Sequence, residues 1–526
     1  MTSNVQQPYR LPGPNSSHIW PYLGVLAAGL AVYLCTAQSS VAWQDSGFFQ
    51  WRMRELDLNS LLGIALAHPL LIVLGHVFGL LPWGSEFWRY NAVSAVAGAV
   101  TLANLFLLVR RLCPRRPWAA VLAAGALGLA HTYWWLASIA ESHTLLAAGL
   151  TTELLILEAM SRRPRPWLAV LLGLVNGLGV SAHDLALLAL PAYGLTVIVL
   201  AWRRKLPGWA VVGFALAWLA GASLWLGLIV SNAPAMGLGG AMASALFGRG
   251  WQGSVFSHGT IKLVAFSFLY MGYNFPNLTW PLALAGLWGL KRLAPPGMLR
   301  QVQYLAAAYF LFAVRYNVAD NFMFFVPLYT MGALLAGLGL ASLAEKRPAL
   351  TRLALAALVI GPVLYGLAPA LARAFDLPLP GRSHQLPYRD NARYWLTPWK
   401  QDENSASQFA HAALDQVRDC PGQVYIFADS TAYWPLAWTA RLEGVSAPVV
   451  IDQESDHPLM RRLEQDPLPL LEELRAAGAC VYAVGRSPGY APQALLPYIA
   501  PQRTGVLYPV YLPAGQATSA ASGEPP

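Results

Sequence analysis

Charge is scarce in this sequence. Aspartate and glutamate together number 26 and lysine and arginine 35, so only 12% of the 526 residues are charged. An ordinary soluble domain carries about 25%. That scarcity excludes a conventional soluble enzyme. Cysteine is sparse too: Cys35, Cys113, Cys420 and Cys480 are the only four, and they lack metal-ligand spacing, so zinc is not indicated. No internal repeat, direct or inverted, is visible. The net charge of +9 comes without a nucleic-acid-binding module and sits in short arginine clusters between apolar runs, so nucleic acid is not expected as a partner.

Hydrophobic residues are abundant, at 56% of the chain with a mean hydropathy of +0.43. Apolar runs of about 17–25 residues recur, the length that carries a helix across a bilayer. They fall near 20–38, 92–109, 118–136, 144–160, 167–182, 185–202, 209–230, 263–290, 301–315, 322–343 and 350–371. This predicts a polytopic α-helical membrane protein with about eleven crossings. The first run follows a single arginine and precedes no small-residue cleavage site, so it reads as a retained anchor. The eighth contains "YNFPNLTWP", whose prolines bend or break a helix, leaving one kinked crossing or two half-crossings. Counted once, with the N-terminus inside, it places the clusters "RRLCPRRP", "RRPRP", "RRK", "KR" and "EKRP" on the cytoplasmic side. Counted twice, it would put later clusters outside.

Residues 1–375 thus form the membrane domain, with a first outer loop at 39–91. From Asp376 the hydropathy falls to that of a soluble domain, and the β-rich runs "VYIFA", "APVVI" and "CVYAV" alternate with helix-compatible stretches such as "SASQFAHAALDQVRD". Residues 376–515 are expected to be a small extracytoplasmic α/β domain, and 516–526 a disordered tail. The stretch "FADSTAYW" reads as a strand ending in a polar turn more readily than as an active site. Cys420 and Cys480 precede two of the strands in an oxidising compartment and can pair.

Ionisable residues at the ends of membrane spans are costly to retain and mark function by default. Here they gather in loops predicted to lie outside. Asp45 follows the first span, Glu141 and His143 open the fourth, His183 and Asp184 separate the fifth from the sixth, and Arg315 and Asp320 separate the ninth from the tenth. Each has a plainer reading. Asp45 can cap a helix, His68 before Pro69 can be a turn residue, Glu141 and His143 can be interfacial, and Arg315 can snorkel. Glu153 falls inside the fourth span and needs a partner within the bundle, a structural role. Residues 48–82 mix aromatic and aliphatic side chains with Arg52, Arg54, Glu55 and Asp57, as helices lying in the interface do. Pro69, His68 and His76 inside "LLGIALAHPLLIVLGHVFGLL", with no basic cluster at either end, argue against a crossing there.

The ordered pieces "DSGFF", "AHPLLIVLGHVF", "LPWGSEFWRYNAVSAV", "ASIAESHTL", "GLGVSAHDLALLALPAYGL", "VRYNVADNFMFFVPLY" and "VYIFADSTAYWPLAWTARLEGV" resemble the protein O-mannosyltransferase-like branch of the GT-C membrane glycosyltransferases. The resemblance covers most of the chain. It implies a GT-C-like fold and transfer of a hexosyl or pentosyl group from a polyprenyl-phosphate-linked donor to an extracytoplasmic protein or glycan acceptor. Asp45 matches the family acid just after the first span, Glu141 the acid opening the fourth, His183 the histidine after the fifth and Asp320 an acid preceding an aromatic-proline run, with Asp45 and Glu141 expected to be catalytic. Asp45 would be the general base of an inverting transfer. Arg315 would stabilise the departing lipid phosphate, and His68, His143 and Asp184 would line the substrate site. The chain departs from the family where a run of His, two prolines, Gly, Tyr and Pro is usual. It has only "HPLLI" from His68, which leaves the substrate preference open.

A divalent metal between Asp45, Glu141 and His143 is chemically possible, but a monosaccharide-phosphate donor does not demand one, so the cofactor stays unassigned. A transporter or lipid-linked-sugar flippase is the main alternative. Against it, the titratable groups gather at one face and not at the midplane. A non-catalytic assembly factor is a third reading. The Ala, Leu, Gly and Arg richness points to a bacterial inner membrane.

Overall fold

The computed structural model describes residues 19–249, 252–255, 257, 261–344, 347–377, 379, 386–445 and 448–511. The extreme N-terminal segment and the expected tail at 516–526 lie outside the described residues. Seven described helices are long and apolar enough to cross a membrane: Ile19–Thr36, Glu86–Leu112, His143–Arg162, Asp184–Trp202, Ser223–Phe247, Asn321–Leu343 and Pro348–Ala374. An eighth forms if Pro117–Gly128 and His131–Ala137, bent by 70°, count as one span. Ile64–Gly79, Pro166–Ala182 and Trp209–Gly221 are shorter apolar segments.

Against the eleven crossings expected, seven or eight described spans pass by length and composition, and besides the bent pair two further runs are each split into two helices. The run at 209–230 is two elements, because Trp209–Gly221 stops at a turn and Ser223–Phe247 begins a second helix. That second helix contains Pro234 and changes direction at Gly237, whose φ of 75° is left-handed. Its serines, glycines and proline interrupt the hydropathy and hide its length. The run at 263–290 is also two helices, Ile261–Asn274 and Thr279–Leu293, parted around Pro276. There Phe275 is buried and the Asn277 side chain accepts the Thr279 N–H at 2.9 Å.

Close helix packing relies on small residues, as expected where lipid cannot drive association by hydrophobicity. A Cβ on Gly286 would run into the Leu335 carbonyl, so Thr279–Leu293 and Val326–Leu343 approach backbone to backbone. Buried acids are satisfied inside the bundle. Glu153 accepts hydrogen bonds from Asn176 Nδ2 at 3.0 Å and the Tyr193 hydroxyl at 2.9 Å, while Trp218 Nε1 donates to Asn176 at 3.1 Å. This network ties four helices together, the structural role anticipated for Glu153.

The segment after the first span folds into two short helices. Gln44–Glu55 is followed, after a loop and a 3₁₀ turn, by Pro69–Gly79. The latter has 11 residues, about 16 Å of helix, roughly half the hydrocarbon thickness. Beyond the last span, four strands form one sheet in the order β2-β1-β3-β4: β1 Val424–Ala428, β2 Pro448–Asp452, β3 Cys480–Ala483 and β4 Tyr508–Pro509. β1 pairs in parallel with β2 and β3, and β4 is antiparallel. Cys420 and Cys480 form a disulfide across 60 residues of chain.

Candidate active site

Asp45 lies in the first turn of Gln44–Glu55, and the N-cap is Trp43, whose side chain caps nothing. The capping role weighed for Asp45 therefore does not apply. The entry to this helix is over-determined. Trp43 Nε1 donates to Ser405 Oγ at 2.8 Å, Gln50 accepts the Ala42 N–H at 3.0 Å and donates to Asn91 at 3.1 Å, and Asn91 donates to the Gln38 carbonyl at 2.8 Å. Gln44, just before Asp45, has φ 57°. A non-glycine residue held in the left-handed region is strained and needs such surroundings to persist.

Arg52, on the same helix, is fully buried and donates to the carbonyls of Asp57 at 3.1 Å, Leu58 at 3.0 Å and Ala67 at 2.7 Å. Burial lowers its pKa to about 10, so it is still a cation at neutral pH. Its bonds fold the loop back and deliver His68, itself left-handed at φ 44° before Pro69.

His68, His143 and His183 form an arc. Ring centroids are 4.8 Å apart between His68 and His183 and 4.9 Å between His143 and His183. His68 Nδ1 lies 3.0 Å from the Ala182 carbonyl; a carbonyl only accepts, so Nδ1 carries the proton and Nε2 is the acceptor. His183 Nδ1 is 2.8 Å from an Asp184 oxygen and 3.2 Å from the Leu185 N–H. Nδ1 of buried His143 lies 3.6 Å from a Glu141 carboxyl oxygen, and its Nε2 has no hydrogen-bond partner. Such a group calls for an explanation, and a bound ligand supplies one.

Glu141 occupies the break between the bent pair and the helix His143–Arg162. Ser94 Oγ pins its backbone, accepting the Glu141 N–H and donating to its carbonyl, both at 2.9 Å. Burial, with Asp320 adding its charge, raises the Glu141 pKa to about 8. At neutral pH the group is mostly a carboxylic acid, able to donate a hydrogen bond.

These residues face one cavity of about 1020 Å³. Asp45, His68, Glu141, His143, His183, Asp184 and Asp320 all line it. Arg315 does not: it is exposed, and its Nε donates to the Ser257 carbonyl at 3.3 Å. Convergence of Arg315 with Asp45 is thus corrected. The one lysine or arginine in the lining among the described residues is Lys262, a lone cation ahead of an apolar run that no local pattern singles out. Ser430, Thr431 and Glu454 also reach the cavity; the first two belong to "FADSTAYW", read above as a strand and a turn. Among the described residues, no group of three or more His, Cys, Asp or Glu is placed to hold a metal ion.

Residues 65–206 match the family model of the protein O-mannosyl-transferase TMEM260 N-terminal domain. Over the whole chain the structure is similar to ArnT from Cupriavidus metallidurans bound to undecaprenyl phosphate, with a TM-score of 0.57 at 16% identity, covering 93% of this chain and 98% of ArnT. The chain shares the fold of that ArnT structure. The chain is also similar to a mutant form of the mycobacterial arabinofuranosyltransferase AftD, with a TM-score of 0.50 at 16% identity over 92% of this chain and 38% of AftD. Alignment to the Saccharomyces cerevisiae protein O-mannosyltransferase Pmt1-Pmt2 complex bound to the sugar donor has a TM-score of 0.32 at 15% identity, covering 47% and 36% of the two chains. No curated protein matches the chain in sequence.

Proposed function

We propose that this protein is a membrane-bound, inverting glycosyltransferase. It moves a hexosyl or pentosyl group from a polyprenyl-phosphate donor to a hydroxyl of an extracytoplasmic protein or glycan. One observation carries the reading: a single cavity joins Asp45, a neutral Glu141 and the histidine arc to an apolar flank that includes Phe266, Leu269, Leu364 and Leu371. The flank suits a prenyl chain, and undecaprenyl phosphate is the molecule bound in the ArnT structure. The GT-C fold favours a transferase over a transporter or flippase.

In the proposed reaction the acceptor O–H gives its proton to the Asp45 carboxylate as its oxygen attacks the anomeric carbon. The bond from that carbon to the phosphate oxygen breaks, and polyprenyl phosphate leaves with the electron pair. Lys262, in place of Arg315, stabilises the departing phosphate electrostatically. Glu141 and Nε2 of His143 hold sugar or phosphate oxygens. In this reading the site faces the periplasm of a bacterial inner membrane, with the N-terminus inside and residues 376–515 outside as a separate domain.

The test is transfer of labelled sugar from synthetic polyprenyl-phosphate donors by the purified protein. Asp45→Asn keeps the shape and removes the base, so transfer should fall by about 10²-fold or more. Normal transfer by that variant would overturn the role of Asp45.

A further inference from the structure

The sheet region reaches the cavity at Ser430, Thr431 and Glu454, and all three are polar. Topology explains their placement. β1 and β2 are adjacent and parallel, with Ala428 beside Asp452 at their C-terminal ends. Ser430 and Thr431 follow the first strand, and Glu454 follows the second. The Gln453 N–H bonds the Ala428 carbonyl at 2.9 Å, and Asp452 accepts the Glu454 N–H at 3.0 Å, so the two strand ends make one edge. The C-terminal ends of parallel strands are where α/β sheets hold ligands, because chain leaving each strand there turns into a helix and leaves a crevice.

This edge is fixed relative to Asp45. Ser430 opens the helix Ser430–Leu442, whose Trp434 stacks on Phe48 at 4.6 Å and whose Trp438 meets Trp51 at 5.3 Å. Arg441, one turn further, pairs with Glu55 at 2.9 Å. Positions 434, 438 and 441 of one helix therefore grip 48, 51 and 55 of the other, the spacing of facing helical stripes. Asp45 and Ser430 both stand at the cavity ends of these clamped helices.

Charge narrows what can bind. Asp45, Asp184, Asp320 and Glu454 line the cavity, and Lys262 is the one lysine or arginine in its lining among the described residues. The lipid phosphate of the donor takes the lysine, and at the sheet edge an anionic second substrate would meet the Glu454 carboxylate.

Resting on the transferase reading, we propose that the C-terminal α/β domain supplies the acceptor subsite. Ser430, Thr431 and Glu454 bind an uncharged, hydroxyl-bearing acceptor, and Glu454 rejects anionic ones. The experiment uses the full-length protein, a labelled polyprenyl-phosphate sugar and two probe acceptors, octyl α-mannoside and its 6-phosphate. Ser430→Ala with Thr431→Val should raise the acceptor KM about 3- to 10-fold, the value of one or two ordinary hydrogen bonds, and leave the donor KM unchanged. Thr431→Ser should restore most of the loss. Glu454→Gln should narrow the preference for octyl mannoside over its phosphate. Unchanged acceptor KM in the double variant, a shift confined to the donor KM, or wild-type preference for the phosphorylated probe overturns the subsite while leaving the transferase reading standing. Absence of sugar release from every donor by the wild-type protein overturns both.

Discussion

The neutral state of Glu141 has a measurable consequence in the pH dependence of transfer. Its pKa of about 8, up from 4.5, comes first from burial and second from the charge of Asp320. At pH 7 the protonated form therefore outnumbers the carboxylate by roughly 10 to 1, and at pH 9 the ratio is roughly reversed. If the acid donates a hydrogen bond to the donor's sugar or phosphate, kcat/KM for transfer falls tenfold per unit on the alkaline side of about 8. Glu141→Gln keeps a donor of similar shape that cannot titrate. Its rate should be within a few-fold of wild type at pH 7 and should lack that alkaline limb. Asp320→Asn removes the second cause, so the limb should move to lower pH.

The sign for stability runs the same way. A carboxyl whose folded-state pKa is raised contributes stability that is complete below its unfolded value, near 4.5, and lost as pH rises through about 8. Thermal unfolding should therefore move to lower temperature between these pH values in the wild type and less so in Glu141→Gln. The decisive assay is transfer rate against pH, with the fold checked by unfolding at each pH. An alkaline limb that persists unchanged in Glu141→Gln refutes the assignment of that limb to Glu141.

Three further outcomes follow from the geometry. Lys262→Ala should raise the donor KM, since a charged contact to phosphate is worth about 1.5–3 kcal/mol, whereas Arg315→Ala should leave it alone; the reverse pattern restores Arg315 to the site. Gly47→Ala places a Cβ against the Ala42 carbonyl and 3.1 Å from Trp434 Cβ, so the Asp45 helix must shift. The expected readout is kcat reduced by at least tenfold with donor KM retained, because orientation and not binding is lost, and an unchanged kcat counts against tight positioning of Asp45. Cys420→Ser releases a disulfide that closes 60 residues of chain, worth about 4 kcal/mol in the loop-entropy model; calorimetry should show the sheet domain unfolding earlier, while little change in its midpoint argues against a stabilising role for the bond.

Much of this site was legible because of where membrane proteins can keep polar atoms. Helix ends leave backbone N–H and C=O groups without partners, so polar side chains and water collect there, while helix middles must be apolar or internally paired. Asp45 in a first turn, His68 before Pro69, Glu141 in a helix break, His183 between two helices and Asp320 ahead of a 3₁₀ turn all obey that rule. Each interrupts an apolar run, and the interruption is visible in the residues. Glu153 shows the other case, an acid in mid-helix consumed by Asn176 and Tyr193.

What was not legible depended on direction. Arg315 and Asp320 share one loop, and sequence proximity suggested that both serve the cavity, yet Arg315 turns to Ser257 while Asp320 lines the wall. Lys262 is isolated in the sequence and gains meaning only because the chain breaks around residues 275–278 and folds its helix against the cavity. The sheet's contribution was hidden for a related reason. "FADST" is an ordinary strand end until Trp434 and Trp438, one and two turns later, are seen to pack on Phe48 and Trp51. Those aromatic contacts join chain segments nearly 390 residues apart, and no local pattern encodes a pairing at that range. They also explain the tryptophan-rich segment after the first apolar helix: its short Gln44–Glu55 helix holds Asp45 toward the cavity on one side and packs against Trp434 and Trp438 of the sheet region on the other.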